Sequence, residues 1–237
     1  MSEPATTILI TRPKAQALQF AGDLRQRLGV DLGIEITPLL KIAAVKTVDD
    51  LQGVGHLIFT SVNGVNAFAS QYTRRDIPSY CVGERTANMA RGFGISAVSA
   101  NGNADDLIRL IAGKHPPAAG TFLHVRGRHI SLNIAQTLQD RGIKARELVL
   151  YDQIEQPMTE KTLAVLQDAS PVLLPLFSPR TAEIFTKQTL QTDLSGVRAI
   201  CISQKVADKL DSARFHKVTI AAAPNGAAMI KCLSASL

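Results

Sequence analysis

The same series of short motifs runs through both halves of the chain, in the same order. Ile10-Thr11-Arg12-Pro13 recurs as His124-Val125-Arg126-Gly127, and each is followed by a helical stretch ending at Leu28-Gly29 or Arg141-Gly142. Phe59-Thr60-Ser61 recurs as Phe177-Ser178-Pro179, each opening a helical pattern that carries a phenylalanine, Phe68 or Phe185. Cys81-Val82-Gly83-Glu84-Arg85-Thr86-Ala87 recurs as Cys201-Ile202-Ser203-Gln204-Lys205-Val206-Ala207, and Asn103 and Asn225 follow the last strand of each half. Self-similarity at this scale marks a duplicated supersecondary unit. A chain of 237 residues is long enough for two such units of ordinary domain size.

Each unit alternates strand and helix. Strands are expected at Thr7–Thr11, His56–Thr60, Tyr80–Gly83, Ala97–Ala100, Thr121–Val125, Ala145–Tyr151, Val172–Phe177, Arg198–Ser203 and Val218–Ala222. Between two of them Ile130, Ile134 and Leu138 recur every fourth residue, which stacks them on one helix face. Repeated strand–helix–strand order predicts an α/β chain of parallel sheets covered on both faces. Two stretches break the rhythm at matched places: Ile36–Val45, interrupted by Pro38, and Leu148–Pro157. Proline cannot donate to a sheet, so both suit edge or linking strands. The expected organisation is therefore a discontinuous lobe of residues 1–37 and 158–237, a second lobe of 47–148, and two paired linker strands at 38–46 and 149–157.

Composition narrows the function. The net charge is +6 and the sequence pI about 9.4, a balance that attracts anions. The basic residues are dispersed, aromatics are 5% and tryptophan is absent, so a base-stacking platform for nucleic acid is poorly supplied. No stretch reaches the roughly 20 apolar residues needed to span a bilayer. Met1–Thr7 lacks a basic leader before the short run Ile8-Leu9-Ile10, which gives a cytoplasmic expectation. Cys81, Cys201 and Cys232 form no CxxC pair, so neither a disulfide framework nor a zinc site is expected.

In an open parallel sheet, ligands sit outside the carboxyl ends of the strands, where helix N-termini present unpaired N–H groups. The turns at those places hold Arg12, Thr60, Ser61, Asn63, Gly83, Thr86, Arg126, Gly127, Arg128, Ser178, Pro179, Ser203 and Lys205. Any one of these serves equally well as an ordinary helix cap. Together, with a cation in nearly every turn, they predict a cleft for a small polyanion. Nucleotide loops (GxGxxG or GxxxxGK[ST]) and a GxSxG elbow are missing. The five histidines include no HxH or HExxH pair; His56 and His124 read as structural, His129 as a binding candidate, and His115 and His216 carry no reading. Asp105-Asp106 reads as the acidic first turn of a helix.

At these turns the chain resembles the uroporphyrinogen-III synthase family. The resemblance rests on Thr11-Arg12-Pro13, Phe59-Thr60-Ser61-Val62-Asn63-Gly64-Val65, Val82-Gly83-Glu84-Arg85-Thr86-Ala87, Arg126-Gly127, Val149-Leu150-Tyr151, Phe177-Ser178-Pro179, and Ile202-Ser203 with Ala207. It implies two flavodoxin-like α/β lobes joined by a two-stranded ladder, with the active site between them. It further implies closure of hydroxymethylbilane, a linear polycarboxylate tetrapyrrole, to uroporphyrinogen III, with loss of water and inversion of ring D. No metal or organic cofactor is implied. A monomer is expected, with handover of substrate from hydroxymethylbilane synthase, and no nucleic-acid or membrane partner. Tyr151 matches a family tyrosine near the cleft, and two roles stay open for it: assisting departure of the hydroxyl, or packing in the ladder. The chain departs from the family pattern at Val206, where a threonine is common, and at Ser131, where many members carry arginine and Arg128 is the available substitute. The residues also admit a non-catalytic two-lobe binder of a small polyanion, a flavodoxin-like or nucleotide-sugar domain pair, and a nucleic-acid binder.

Overall fold

A computed structural model describes residues 6–29, 32–114, 120–130 and 132–237. Ser131 and His115 lie outside the described residues. The chain separates into two compact units, Met1–Lys41 with Ile154–Leu237, and Ile42–Gln153.

The first unit begins with β1 (Thr7–Ile10), α1 (Lys14–Leu28) and β2 (Gly33–Ile36), and β3 (Leu40–Ala44) leads out of it. The second follows as β4 (Val54–Phe59), α2 (Val62–Gln71), β5 (Ser79–Cys81), α3 (Glu84–Gly92), β6 (Ala97–Ser99), α4 (Ala104–Lys114), β7 (Thr121–Gly127) and α5 (Ile134–Gln139). The long strand β8 (Ala145–Glu155) leads back. The first unit is then completed by α6 (Glu160–Gln167), β9 (Val172–Leu176), α7 (Pro179–Gln188), β10 (Val197–Cys201), α8 (Gln204–Ala207), β11 (Lys217–Ile220) and α9 (Gly226–Ser234). Every strand expected from the sequence is present.

Two sheets result. One has the order β11-β10-β9-β1-β2, and its neighbours pair in parallel. The other has the order β3-β8-β7-β4-β5-β6, with parallel pairing from β8 through β6. Apolar residues alternate between faces as a pleated strand demands. In the first unit Ile8 and Ile10 pack with Phe20, Leu24 and Met229, while Leu9 packs with Leu174, Phe185 and Val206 on the other side. In the second, Ile58 and Phe122 meet Leu107, Ile134 and Leu138, whereas Leu57, Phe59 and Leu123 meet Phe68 and Leu148.

Two local expectations need correction. Ile36–Val45 is not one extended run. β2 ends at Ile36, the chain passes Thr37-Pro38-Leu39 outside any strand, and β3 starts at Leu40. Across that gap Thr37 N still donates to Ile10 O and Leu39 N to Thr11 O, so the proline falls between two donors. The second correction concerns Ile130, which is 41% exposed and precedes α5. That helix starts only at Ile134, because Asn133 caps it, its Oδ1 accepting from Gln136 N at 3.0 Å.

Candidate functional site

While Gly83, Thr86, Ser203 and Lys205 follow the neighbouring strands β5 and β10, most residues predicted to do chemistry fall where strand order reverses. In the second unit that place is between β4 and β7. Thr60 and Ser61 leave the end of β4, and Arg126 and Gly127 close β7. Ser61 caps α2, its Oγ accepting from Gly64 N at 3.3 Å. The same Oγ lies 3.0 Å from the hydroxyl of Tyr151.

Tyr151 reaches Ser61 because β8 is irregular. Arg126 pairs with Val149, but Gly127 pairs with Tyr151, so β8 uses one extra residue there. Leu150 and Tyr151 consequently bury on the same face, with Phe59, Val65 and Phe68. The carbonyl of Leu150 accepts from Val45 N at 2.8 Å and from Gln71 Nε2 at 3.3 Å. Gly127 gives the ring room: a Cβ there would lie 2.5 Å from Tyr151 Cε2. Burial raises the Tyr151 hydroxyl above its ordinary pKa, opposed by the Ser61 hydrogen bond. The phenol is thus protonated at neutral pH and able to donate.

The opposite sheet face carries a polar cluster in which His124 is buried and Arg126 and Glu147 are half-buried. Arg126 Nη2 donates to Glu147 Oε2 at 2.7 Å, and Nη1 donates to the carbonyl of Gly127 at 2.8 Å. His124 is 1% exposed, and its Nε2 lies 3.4 Å from Thr60 Oγ1. Burial, the largest influence, lowers its pKa to about 4, so the imidazole is neutral. Arg128 and His129 both pair with Asp152, at 3.2 and 3.4 Å, on the exposed side of the turn. Asn63 lies in the first turn of α2, and Gly83 caps α3 through backbone alone. Thr86 is buried at 6%.

The first unit has its own reversal, between β9 and β1. These strands pair only at Thr7↔Val172 and Ile8↔Leu173, and so part before Pro175. Ser178 caps α7, its Oγ accepting from Thr181 N at 3.1 Å, and Pro179 takes the first helical position. Arg12 is largely buried, its guanidinium carbon 3.9 Å from the centroid of the Phe177 ring and its Nη2 donating to Gln16. Ser203 caps α8 without a side-chain hydrogen bond, and Lys205 is exposed. Val206, the departure from the family pattern, is 1% exposed within the core. Its counterpart Thr86 is also buried, so both side chains point inward and the exchange leaves the outer surface of the turn unchanged.

Sequence reasoning missed Glu147 and the placement of His124. Glu147 pairs directly with His124 on the next strand, a relation visible only once β7 and β8 are paired. The thiols of Cys81 and Cys201 are buried, which pushes them up to about 11 and about 12 and leaves them unreactive. Among the described residues no group of acidic, cysteine or histidine side chains is arranged to hold a metal ion, and no helix is long and apolar enough to cross a membrane.

Parallel sheets with capped, hydroxyl-rich turns at their reversals define the class as an α/β protein whose candidate site lies at strand ends. The family model described as uroporphyrinogen-III synthase HemD matches residues 28–231. The chain belongs to the uroporphyrinogen-III synthase family, and its enzyme class is a lyase of haem biosynthesis. It is 26% identical over 204 residues to the uroporphyrinogen-III synthase of Chlorobaculum parvum, covering 80% of this chain and 81% of that one. The crystal structure of uroporphyrinogen-III synthetase from Helicobacter pylori has the same fold, with a TM-score of 0.69 at 16% identity over 98% of this chain and 100% of that one. A mutant uroporphyrinogen III synthase from Thermus thermophilus follows at 0.61 and 14% identity, covering 98% of both chains.

Proposed function

We propose that this enzyme closes hydroxymethylbilane to uroporphyrinogen III chiefly by holding a flexible polycarboxylate in one geometry. The linear substrate cyclises unaided to the isomer with ring D unreversed, so the protein's task is positioning. The observation that carries the reading is the Tyr151–Ser61 contact, 3.0 Å long, at the reversal between β4 and β7. A protonated, buried phenol beside the carboxyl end of β7 is suited to donate a hydrogen bond to the departing hydroxyl of ring A. Its partner Ser61 heads a helix whose first N–H groups suit a carboxylate.

In this reading Thr60, Ser61, Asn63, Gly83, Thr86, Arg126, Gly127 and Arg128 shape the turns that receive substrate carboxylates in the second unit. Arg12, Ser178, Pro179, Ser203 and Lys205 do so in the first. Arg12, stacked on Phe177, contributes its charge from within the turn, whereas exposed Lys205 offers a direct contact.

The same proposal includes an internal duplication. The orders β6-β5-β4-β7-β8 and β11-β10-β9-β1-β2 correspond strand for strand when β4 is matched to β9 and β7 to β1, and the repeated motifs align in that register. The lobes are then residues 1–37 with 158–237, and 47–148, with linkers at 38–46 and 149–157. Both crossings of the chain between its compact units fall inside β3 and β8, which supports those linkers. A cytoplasmic monomer receiving substrate from hydroxymethylbilane synthase completes the picture; the chemistry asks for no cofactor, nucleic acid or membrane.

The test is to supply freshly generated hydroxymethylbilane, oxidise the products and separate the porphyrin isomers. A dominant type III isomer above the type I background of an enzyme-free control is expected. Type I product alone, with measurable affinity for the substrate, would instead establish a non-catalytic polyanion binder.

A further inference from the structure

A buried ion pair is weak evidence of stabilisation, because desolvation offsets the attraction unless every polar atom is satisfied. Arg126 and Glu147 make a half-buried pair, with side chains 15% and 23% exposed, and two of their polar atoms are fully enclosed. Arg126 Nε and Glu147 Oε1 are buried without a hydrogen-bond partner among the described residues, and so is Nδ1 of neighbouring His124. Replacing such a group with apolar side chains of similar volume is often neutral or stabilising. Stability therefore does not account for it.

Its geometry points elsewhere. Arg126 Nη1 donates to two successive carbonyls, Gly127 O at 2.8 Å and Arg128 O at 3.3 Å. Arg128 N in turn donates to Tyr151 O at 3.0 Å. The clamped turn thus contains the glycine against which the Tyr151 ring rests, and it is bonded to the backbone of Tyr151 itself. Glu147 holds the other arm of the guanidinium from β8, four residues before Tyr151 and ahead of the extra residue that turns the phenol toward Ser61. We infer that Glu147, acting through Arg126, is a positioning residue that holds the Gly127–Arg128 turn so that the Tyr151 hydroxyl meets the leaving group. This rests on the reading of Tyr151 given above.

The experiment compares Glu147→Ala, Glu147→Gln, Tyr151→Phe and the double variant Glu147→Ala/Tyr151→Phe in steady-state turnover of hydroxymethylbilane. Misplacing a catalytic group by about 1 Å costs up to about a hundredfold, so Glu147→Ala should lose about tenfold or more in kcat. Its kcat should fall by more than its KM rises, since the larger loss falls on the group that meets the leaving hydroxyl. Glu147→Gln, whose amide oxygen still accepts from Arg126, should recover most of the loss, and the double variant should be no slower than Tyr151→Phe. A wild-type kcat in Glu147→Ala, a rise in KM alone, or a full multiplicative loss in the double variant overturns the inference and leaves the role of Tyr151 standing. Wild-type turnover in Tyr151→Phe removes that role, and the inference with it. Should Glu147→Ala not fold, the tyrosinate absorbance decides. The chain has three tyrosines and no tryptophan, so a Tyr72→Phe/Tyr80→Phe background reports Tyr151 alone. In that background Glu147→Asp keeps the charge but withdraws the carboxylate from Arg126, so the Tyr151 hydroxyl should lose its Ser61 hydrogen bond and titrate higher; an unchanged midpoint overturns the inference.

Discussion

Gly127 and the ring of Tyr151 are packed so closely that a methyl group on residue 127 would sit 2.5 Å from Cε2 and 2.8 Å from Cζ. The ring has no free space to retreat into, since Tyr151 is 6% exposed among the core side chains of α2 and β4. Gly127→Ala should therefore displace the phenol from Ser61. Overpacking costs typically about 1–3 kcal/mol, and we expect a loss of that size in urea denaturation together with a large fall in kcat. Wild-type turnover in a folded Gly127→Ala protein would show that the position of the ring does not matter to the reaction.

Tyr151→Phe keeps the ring and deletes one hydroxyl. Loss of the Ser61 hydrogen bond should cost about 1 kcal/mol of stability. Loss of a positioned proton donor should lower turnover by about a hundredfold, with a larger share of type I product escaping the enzyme. Equal turnover and an equal isomer ratio would assign Tyr151 to packing alone.

His124 makes the fold acid-sensitive. Its pKa falls from the model-peptide value of 6.5 to about 4 on burial, with the Glu147 charge opposing the shift and the Arg126 charge adding to it. The unfolded chain binds the proton first, so the contribution is fully present above about pH 6.5 and lost as pH falls toward 4. With about 1.4 kcal/mol per pKa unit, the loss approaches about 3 kcal/mol at most. Denaturation midpoints at pH 7 and pH 5 check this: His124→Leu should show a shallower pH dependence than the parent. Parallel curves would mean that the imidazole is not the group responsible.

Val206→Thr restores the residue common in the family. Because position 206 is 1% exposed in the core, the added hydroxyl is buried. A loss of about 1–3 kcal/mol in thermal or chemical denaturation is expected, with kcat and KM unchanged. A gain in substrate affinity would show instead that this side chain reaches the ligand.

The sequence displayed the strands well because each is a short apolar run bounded by a polar turn, as at Leu57-Ile58-Phe59 before Thr60-Ser61. It showed β2 poorly: Gly33-Ile34-Glu35-Ile36 is only four residues long and abuts the Pro38 stretch, so the two merged. The helix face read from Ile130, Ile134 and Leu138 was right for two residues and failed for the one that precedes the Asn133 cap. The polar turns were legible as turns, yet the direction of Tyr151 was not. Strict alternation along β8 would put Tyr151 with Glu147 and Val149, away from Ser61, and only the extra residue beside Gly127 reverses it. Arg12 on Phe177 and Arg126 on Glu147 were likewise invisible, because Phe177 lies far along the chain and the β7–β8 register that brings up Glu147 is not displayed in the sequence.

The placement of β1 also dictates the order in which the protein can be made. The strand lies inside its sheet, between β2 and β9, with Thr7 beside Val172. A ribosome therefore delivers β1 without a partner on one side until β9, from Val172 onward, has emerged. The strands β4 to β7, by contrast, are consecutive and complete their pairing early. Local pairing precedes distant pairing when loop closure is costly, so the unit Ile42–Gln153 matures while β1 and β2 still wait for β9 to β11.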